Sequence, residues 1–407
     1  MKNMNKLTMG LLAGVAALWV QGAAAEISDG VVKIGVLNDQ SGVVSDATGQ
    51  GSVVAARLAA EEFNNTVAGK PIEVIFADHQ NKADIASTIA RQWYEKDGVD
   101  VIVDVPNSGA GLAVQGVARD AKKVFITSSA GTTALTNANC SPYGIQWTYD
   151  TYALAKGTGE AVVEQGGKTW YFITADYAFG HQLQADATSI IEQNGGRVLG
   201  SANHPLATPD FSSFLLQAQG SKAQVVGFAN AGGDTIEGIK QATEFGLTAG
   251  GQRLAAMLLL LTDVHSLGLK AAQGTYLTTP FYWNLDAGTR AWSDKFAAKF
   301  NGKRPTFLQI GVYESVRHYL QAVQALGSDD ADAVLKKMRE TKIESAFTHG
   351  AYIRADGRVI RDMYLAQVKT PAESKEDWDF YKIVKKIPGE ELAHPLSEST
   401  CAYLKKP

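Results

Sequence analysis

Apolar, strand-like runs alternate with amphipathic stretches along this chain, and the series runs twice. The first series has VVKIGVL at 31–37, PIEVIFA at 71–77, VDVIVDV at 99–105, KVFIT at 123–127 and IQWTY at 145–149. Between them lie helical patterns, clearest at 51–64 and 83–96, where Ile85, Ile89 and Trp93 recur on one face. Near-continuous apolar strands separated by helices imply a parallel sheet covered on both faces. A second α/β unit then begins with TWYFIT at 169–174. It continues through helices at 181–193, 211–220 and 236–245, the strand AQVVGFA at 223–229, and LAAMLLLL at 254–261, which reads as a buried strand. Two units suit a 407-residue chain, because single cores stop growing at about 250 to 300 residues. Late helices at 289–300, 311–326 and 330–339, and a hairpin turning at Ala355-Asp356-Gly357, must be shared between the units. The chain therefore crosses between them more than once.

Two consecutive strands of the first series run straight into loops of small residues: VIVDVPNSGAG at 101–111 and VFITSSAGTTALT at 124–136. Amides at a helix start point outward, and the helix dipole favours an anion there. Each of Ser108, Ser129 and Thr132 alone fits a simple helix cap. Two such loops on neighbouring strand ends fit a ligand site, since open α/β sheets bind at the carboxyl ends of their strands.

The N-terminus has basic Lys2 and Lys6, an apolar run at 7–20 and Ala23-Ala24-Ala25 before Glu26, the pattern of a cleaved export signal at 1–25. The run is shorter than the roughly 20 residues of a membrane span, and no later run is long enough. A soluble, exported mature chain is expected. Its two cysteines, Cys140 and Cys401, either remain thiols or form one bridge, and an oxidising compartment favours the bridge. A net charge of −4 gives no footprint for nucleic acid.

Enzyme signatures do not assemble. Gly49-Gln50-Gly51 imitates a dinucleotide fingerprint, but about a dozen residues separate it from the preceding strand, where the motif requires direct succession. There is no P-loop and no G-x-S-x-G elbow. The seven histidines have no metal-ligand spacing, so neither a metal nor a cofactor is expected. A Ser-His-Asp site built from distant positions leaves a hydrolase as the second class of reading, and a ligand-sensing receptor as the third.

The export signal, KIGVLNDQSG at 33–42, ADHQNKADIASTIARQ, the PNSG and TSSAGTTALT loops, ADYAFG at 175–180 and PFYWN at 280–284 together resemble periplasmic substrate-binding proteins of ABC transporters, of the branched-chain-amino-acid type. The resemblance covers the whole mature chain. It implies a type I binding-protein fold, two Rossmann-like α/β lobes joined by three crossings, with a ligand in the cleft between them. The lobes would comprise 26–148 with 280–352 and 149–279 with 353–390, leaving 391–407 as a tail. The resemblance places Ser108, Gly109, Ser129, Ala130, Gly131 and Thr132 on a ligand carboxylate. It draws Tyr177 or Phe179 and Asn230 from the second lobe, with Tyr152, Leu260, Phe281 and Tyr282 nearby. Amino-acid receptors of this family place an acid after the strand matching 254–261. Here that stretch is leucines, with Asp263 the nearest acid. The expected partners are a small carboxylate, aromatic or otherwise apolar, and a membrane permease, the receptor acting as a periplasmic monomer. A branched-chain amino acid or an amide is the alternative ligand.

Overall fold

The computed structural model describes residues 26–405, so the expected export signal at 1–25 lies outside the described residues. The first lobe is built on a six-stranded sheet ordered β2-β3-β1-β4-β5-β6. Its strands are β1 (Val32–Asn38), β2 (Thr66–Val67), β3 (Lys70–Asp78), β4 (Val101–Asp104), β5 (Val124–Thr127) and β6 (Gly144–Gln146). All pairs are parallel except the β2–β3 hairpin at the edge. Ile34 pairs with Val74 on one side and Val101 on the other, which buries β1 at the centre. The helix Ala83–Glu95 covers one face with Ala86, Ala90 and Trp93, and Ile89 of the expected face packs half-buried against the same cluster. Gly35 in β1 lets it approach: a Cβ there would lie 2.6 Å from the Trp93 ring.

The second lobe repeats the plan with four parallel strands ordered β10-β9-β7-β8: β7 (Thr169–Ala175), β8 (Arg197–His204), β9 (Val225–Ala229) and β10 (Arg253–Ala256). The leucine run proves to be only half strand. Met257 N–H reaches the Phe228 carbonyl as the last ladder bond, at 3.1 Å, and the chain then leaves the sheet. The Asp263 carboxylate accepts from Leu260 N–H at 2.9 Å and opens the helix Leu261–Leu267. Burial alone had made this stretch look like strand, because apolarity does not separate a ladder from a buried loop.

Late in the chain come β11 (Tyr276–Thr279), the short hairpin β12 (Tyr352–Ile353) and β13 (Val359–Ile360), then β14 (Met363–Val368) and β15 (Tyr381–Ile387). An antiparallel sheet β11-β14-β15 extends the second lobe. The helix Phe307–Leu326 packs on the first-lobe helix Gly49–Glu61. A reciprocal cap fixes its start: Gln309 N–H donates to Thr306 Oγ1 at 3.3 Å and Thr306 N–H to Gln309 Oε1 at 3.0 Å. Three crossings join the lobes, after β6, after β11 and between β13 and β14. Arg358, just before β13, bridges in parallel to Gln146 of the first lobe. The Cys140–Cys401 disulfide, with a Cα separation of 5.5 Å, ties the C-terminal tail to the first lobe. No helix among the described residues is long and apolar enough to cross a membrane.

Candidate ligand-binding site

The carboxyl ends of both parallel sheets face one narrow cavity between the lobes. From the first lobe it is lined by Val44, Pro106, Asn107, Ser108, Ser129, Tyr149 and Leu308. Tyr177, Phe179, Ala231, Leu258 and Leu260 line it from the second. Both sheets reverse their strand order here. Val44 follows β1, which lies between β3 and β4, and Tyr177 and Phe179 follow β7, which lies between β8 and β9, so the cavity sits at two topological switch points. Its free volume is about 20 Å³. Depressions of about 340 and 330 Å³ on the flanks of the second lobe are roomier but lie away from the strand ends.

The loop after β4 is held in an unfavourable backbone shape. Asp104, Val105 and Asn107 have φ of +79°, +51° and +76°, and a β-branched residue such as Val105 seldom tolerates this region. Buried hydrogen bonds enforce it. The Asp104 carboxylate accepts from Ser128 Oγ at 3.0 Å, Asn38 Nδ2 at 3.0 Å and the Ser129 hydroxyl, while its carbonyl accepts from Thr127 Oγ1 at 2.6 Å. Burial pushes the Asp104 carboxyl above its ordinary pKa, and the hydrogen bonds, Ser129 first, pull it back. Asn107 Oδ1 caps the helix Ser108–Ala121 through Gly109 N–H at 3.0 Å and Ala110 N–H at 3.2 Å.

These bonds sort the candidate residues. Ser108 Oγ accepts from Thr132 N–H at 3.1 Å, which leaves its own proton to donate into the cavity. The Ser129 hydroxyl also lines the cavity, but its proton is directed to Asp104. Ala130 N–H is taken by Thr127 Oγ1 at 2.9 Å, Gly109 N–H by Asn107, and Thr132 Oγ1 accepts from Ala134 N–H at 3.3 Å. Gly109, Ala130 and Thr132 therefore support the wall from behind. Gly131 lets the wall close, since a Cβ there would lie 2.7 Å from Phe179 and 2.8 Å from Tyr149.

Tyr177 and Leu260 join the lining, whereas Tyr152 and Phe281 do not. Tyr152 meets His394 edge to face at 5.1 Å and Phe281 meets Phe347 at 5.2 Å. Asn230 lies behind Ala231. Its Oδ1 accepts from Ala175 N–H and approaches the His204 ring, both at 3.1 Å, and its buried Nδ2 has no hydrogen-bond partner among the described residues. The sequence reading missed Tyr149, whose hydroxyl donates to the Ser129 carbonyl at 2.9 Å, and Leu308, brought in by a late helix. Tyr149 ends the strand-like run that follows the two small-residue loops, so the same strand-end argument would have found it; Leu308 has no local signal. Burial holds the Tyr149 and Tyr177 phenols above their ordinary pKa, and both remain neutral donors.

Among the described residues the lining contributes no charged side chain. Asp263 is buried behind it on the Leu260 amide, and burial raises its pKa to about 7. No three His, Cys, Asp or Glu side chains gather into a metal site among the described residues.

Two α/β lobes, three crossings and a cleft at the strand ends define a two-lobed solute receptor. A periplasmic binding protein family model matches residues 31–376, and the chain belongs to that family. A periplasmic binding protein from Burkholderia mallei is 51% identical with a TM-score of 0.91, over 93% of this chain and all of that one. A branched-chain amino acid ABC transporter periplasmic ligand-binding protein from Burkholderia xenovorans is 41% identical with a TM-score of 0.82, over 92% of this chain and all of that one. An ABC transporter solute-binding protein from Rhodopseudomonas palustris, solved with 3,4-dihydroxybenzoic acid, is 25% identical with a TM-score of 0.80, over 89% and 98% of the two chains. No curated protein matches the chain. The Burkholderia xenovorans and Rhodopseudomonas palustris relatives are binding proteins of ABC transporters.

Proposed function

We propose that this protein captures an aromatic or otherwise apolar carboxylate in the inter-lobe cavity and delivers it to the permease of an ABC importer. The observation that carries the reading is the lining itself. A hydroxyl free to donate at Ser108 faces aromatic and aliphatic walls, Tyr149, Tyr177, Phe179, Leu258 and Leu260, with no acid to meet an ammonium group. A carboxylate gains charge-assisted hydrogen bonds from such a site and a ring gains from burial. An ammonium buried without an acidic partner costs several kcal/mol. The 3,4-dihydroxybenzoic acid held by the Rhodopseudomonas relative fits this chemistry. The name of the Burkholderia xenovorans relative favours a branched-chain amino acid instead, and the same experiment separates the two. Titration calorimetry with 3,4-dihydroxybenzoate, benzoate and leucine is expected to show micromolar or tighter binding of an aromatic acid and none of leucine. Tight leucine binding alone would overturn the proposal.

A further inference from the structure

The sequence motifs NDQSG at 38–42 and NAGG at 230–233 lie on opposite lobes, and neither carries a polar side chain into the cavity. They meet each other. The Val43 carbonyl accepts a hydrogen bond from Gly233 N–H at 2.9 Å, across the cleft. Gly233 is the first residue of the helix Gly233–Glu244, so its N–H has no partner within the helix and carries the positive end of the dipole. The neighbours of this bond, Val44 and Ala231, both line the cavity, so the contact closes the cavity's edge.

Both halves are shaped for the contact before it forms. On the first lobe the buried Asp39 carboxylate accepts from Gly42 N–H at 2.6 Å and Val44 N–H at 3.0 Å, which turns the Val43 carbonyl outward. Gly42 fits because a Cβ would meet Asn81 Nδ2 at 2.5 Å and Asp39 Oδ1 at 2.8 Å. On the second lobe Gly232 has φ +55° and ψ −127°, a conformation open to glycine, and a Cβ there would overlap the Val43 carbonyl oxygen.

We infer that the Val43 carbonyl and the Gly232-Gly233 turn form a backbone latch that holds the lobes shut over bound solute. The residues contribute no group to solute recognition. They act by fixing the closed state, so removing the latch raises the dissociation rate and leaves the ranking of solutes unchanged. This deepens the reading of the cleft as a solute site that closes.

Two arms test it. The first needs no solute. A Cβ built at Gly233 lies 3.6 Å from Val43 Cβ, within the 3.5–4.5 Å range of disulfides. In Val43→Cys/Gly233→Cys, mild oxidation is expected to join the two introduced thiols within one chain and to fix the radius of gyration at its closed value. Failure to cross-link in the folded protein would overturn the latch. The second arm uses 3,4-dihydroxybenzoate. Gly233→Pro removes the one N–H yet suits the first position of a helix, while Gly233→Ala keeps it and meets Val43 Cβ at 3.6 Å. Dissociation is expected to be about tenfold faster in the proline variant, the fold-change of a bond worth about 1.4 kcal/mol, and near normal in the alanine variant. Equal rates in both would overturn the latch. A wild-type protein that ignores the acid but whose cysteine pair still cross-links would count against the aromatic-acid reading and in favour of the latch.

Discussion

At the scale of single residues, adjacent hydroxyls in the cavity wall have different fates. Ser108 reads in the sequence as a helix cap or an anion ligand, and the structure gives the cap to Asn107 and sets the Ser108 hydroxyl on the cavity. Ser129 looked equivalent, but Asp104, 25 positions earlier, takes its proton, and no local spacing announces a partner so distant. Ser108→Ala is expected to weaken binding of an aromatic acid by roughly 10- to 100-fold, the value of one hydrogen bond to a charged group at about 1.5–3 kcal/mol, and to lower the melting temperature modestly because the buried Thr132 N–H loses its acceptor. Calorimetry and a thermal melt together check this. Asp263 makes a separate prediction through pH. Its pKa is raised by burial from 3.8 to about 7, so between those values the folded protein keeps a proton that the unfolded chain has released. Stability contributed by this group is therefore present at low pH and lost as pH rises from about 4 to about 7. Asp263→Asn keeps an oxygen for the Leu260 amide, and urea unfolding of this variant is expected to lose that slope. A slope unchanged from wild type would assign the titration to another group.

At the scale of elements, the sequence showed the two small-residue loops because the residues that shape them are contiguous. What it could not show is the closeness of the second loop to the opposite lobe. The family resemblance reads Gly131 as part of a carboxylate-binding loop, yet its hydrogen faces two rings, Tyr149 just after β6 and Phe179 from the start of the helix Ala178–Gln193. Gly131→Ala is expected to push one ring aside and reduce affinity for an aromatic acid at least tenfold, by overpacking of about 1–3 kcal/mol. Tyr149→Leu in the same background is expected to recover part of the loss, whereas recovery of nothing would show that the alanine acts elsewhere. The leucine run teaches the complementary lesson. Apolar character alone placed a strand across 254–261, and the structure divides it into a short strand, a cavity wall at Leu258 and Leu260, and a helix start at Leu261. Hydrophobicity reported burial correctly there but not the backbone that produced it.

At the scale of the whole molecule, the repeat of strand–helix series foretold two lobes, and the late helices foretold several crossings. The polar pins on those crossings were not legible, because each joins residues far apart in sequence. Asp150, at the first crossing, meets Arg358 at 2.8 Å, and Arg361, at the third, meets Glu314 at 2.6 Å, all four side chains buried. Asp150 also caps the first helix of the second lobe by accepting Ala153 N–H at 2.7 Å, so one carboxylate joins the hinge to the element that follows it. Buried pairs of this kind hold geometry more than they add stability, since desolvation offsets much of their attraction. They fix the geometry of the crossings about which hinge closure would turn. The cavity gives such a motion a purpose. With about 20 Å³ free, it has room for roughly one water, so its walls must move to admit an organic acid, and parting of the lobes with adjustment of the lining side chains is the movement expected. Small-angle scattering is accordingly expected to give a larger radius of gyration for the protein without solute than with a saturating aromatic acid. In Asp150→Ala, which leaves Arg358 buried and unpaired, stability is expected to fall by about 3–5 kcal/mol and the difference between the two states to blur. An unchanged radius in the wild-type protein on adding an acid that calorimetry shows to bind would contradict hinge closure. Entry would then have to proceed by local movement of Tyr177, Phe179 and Leu260 at the cavity wall.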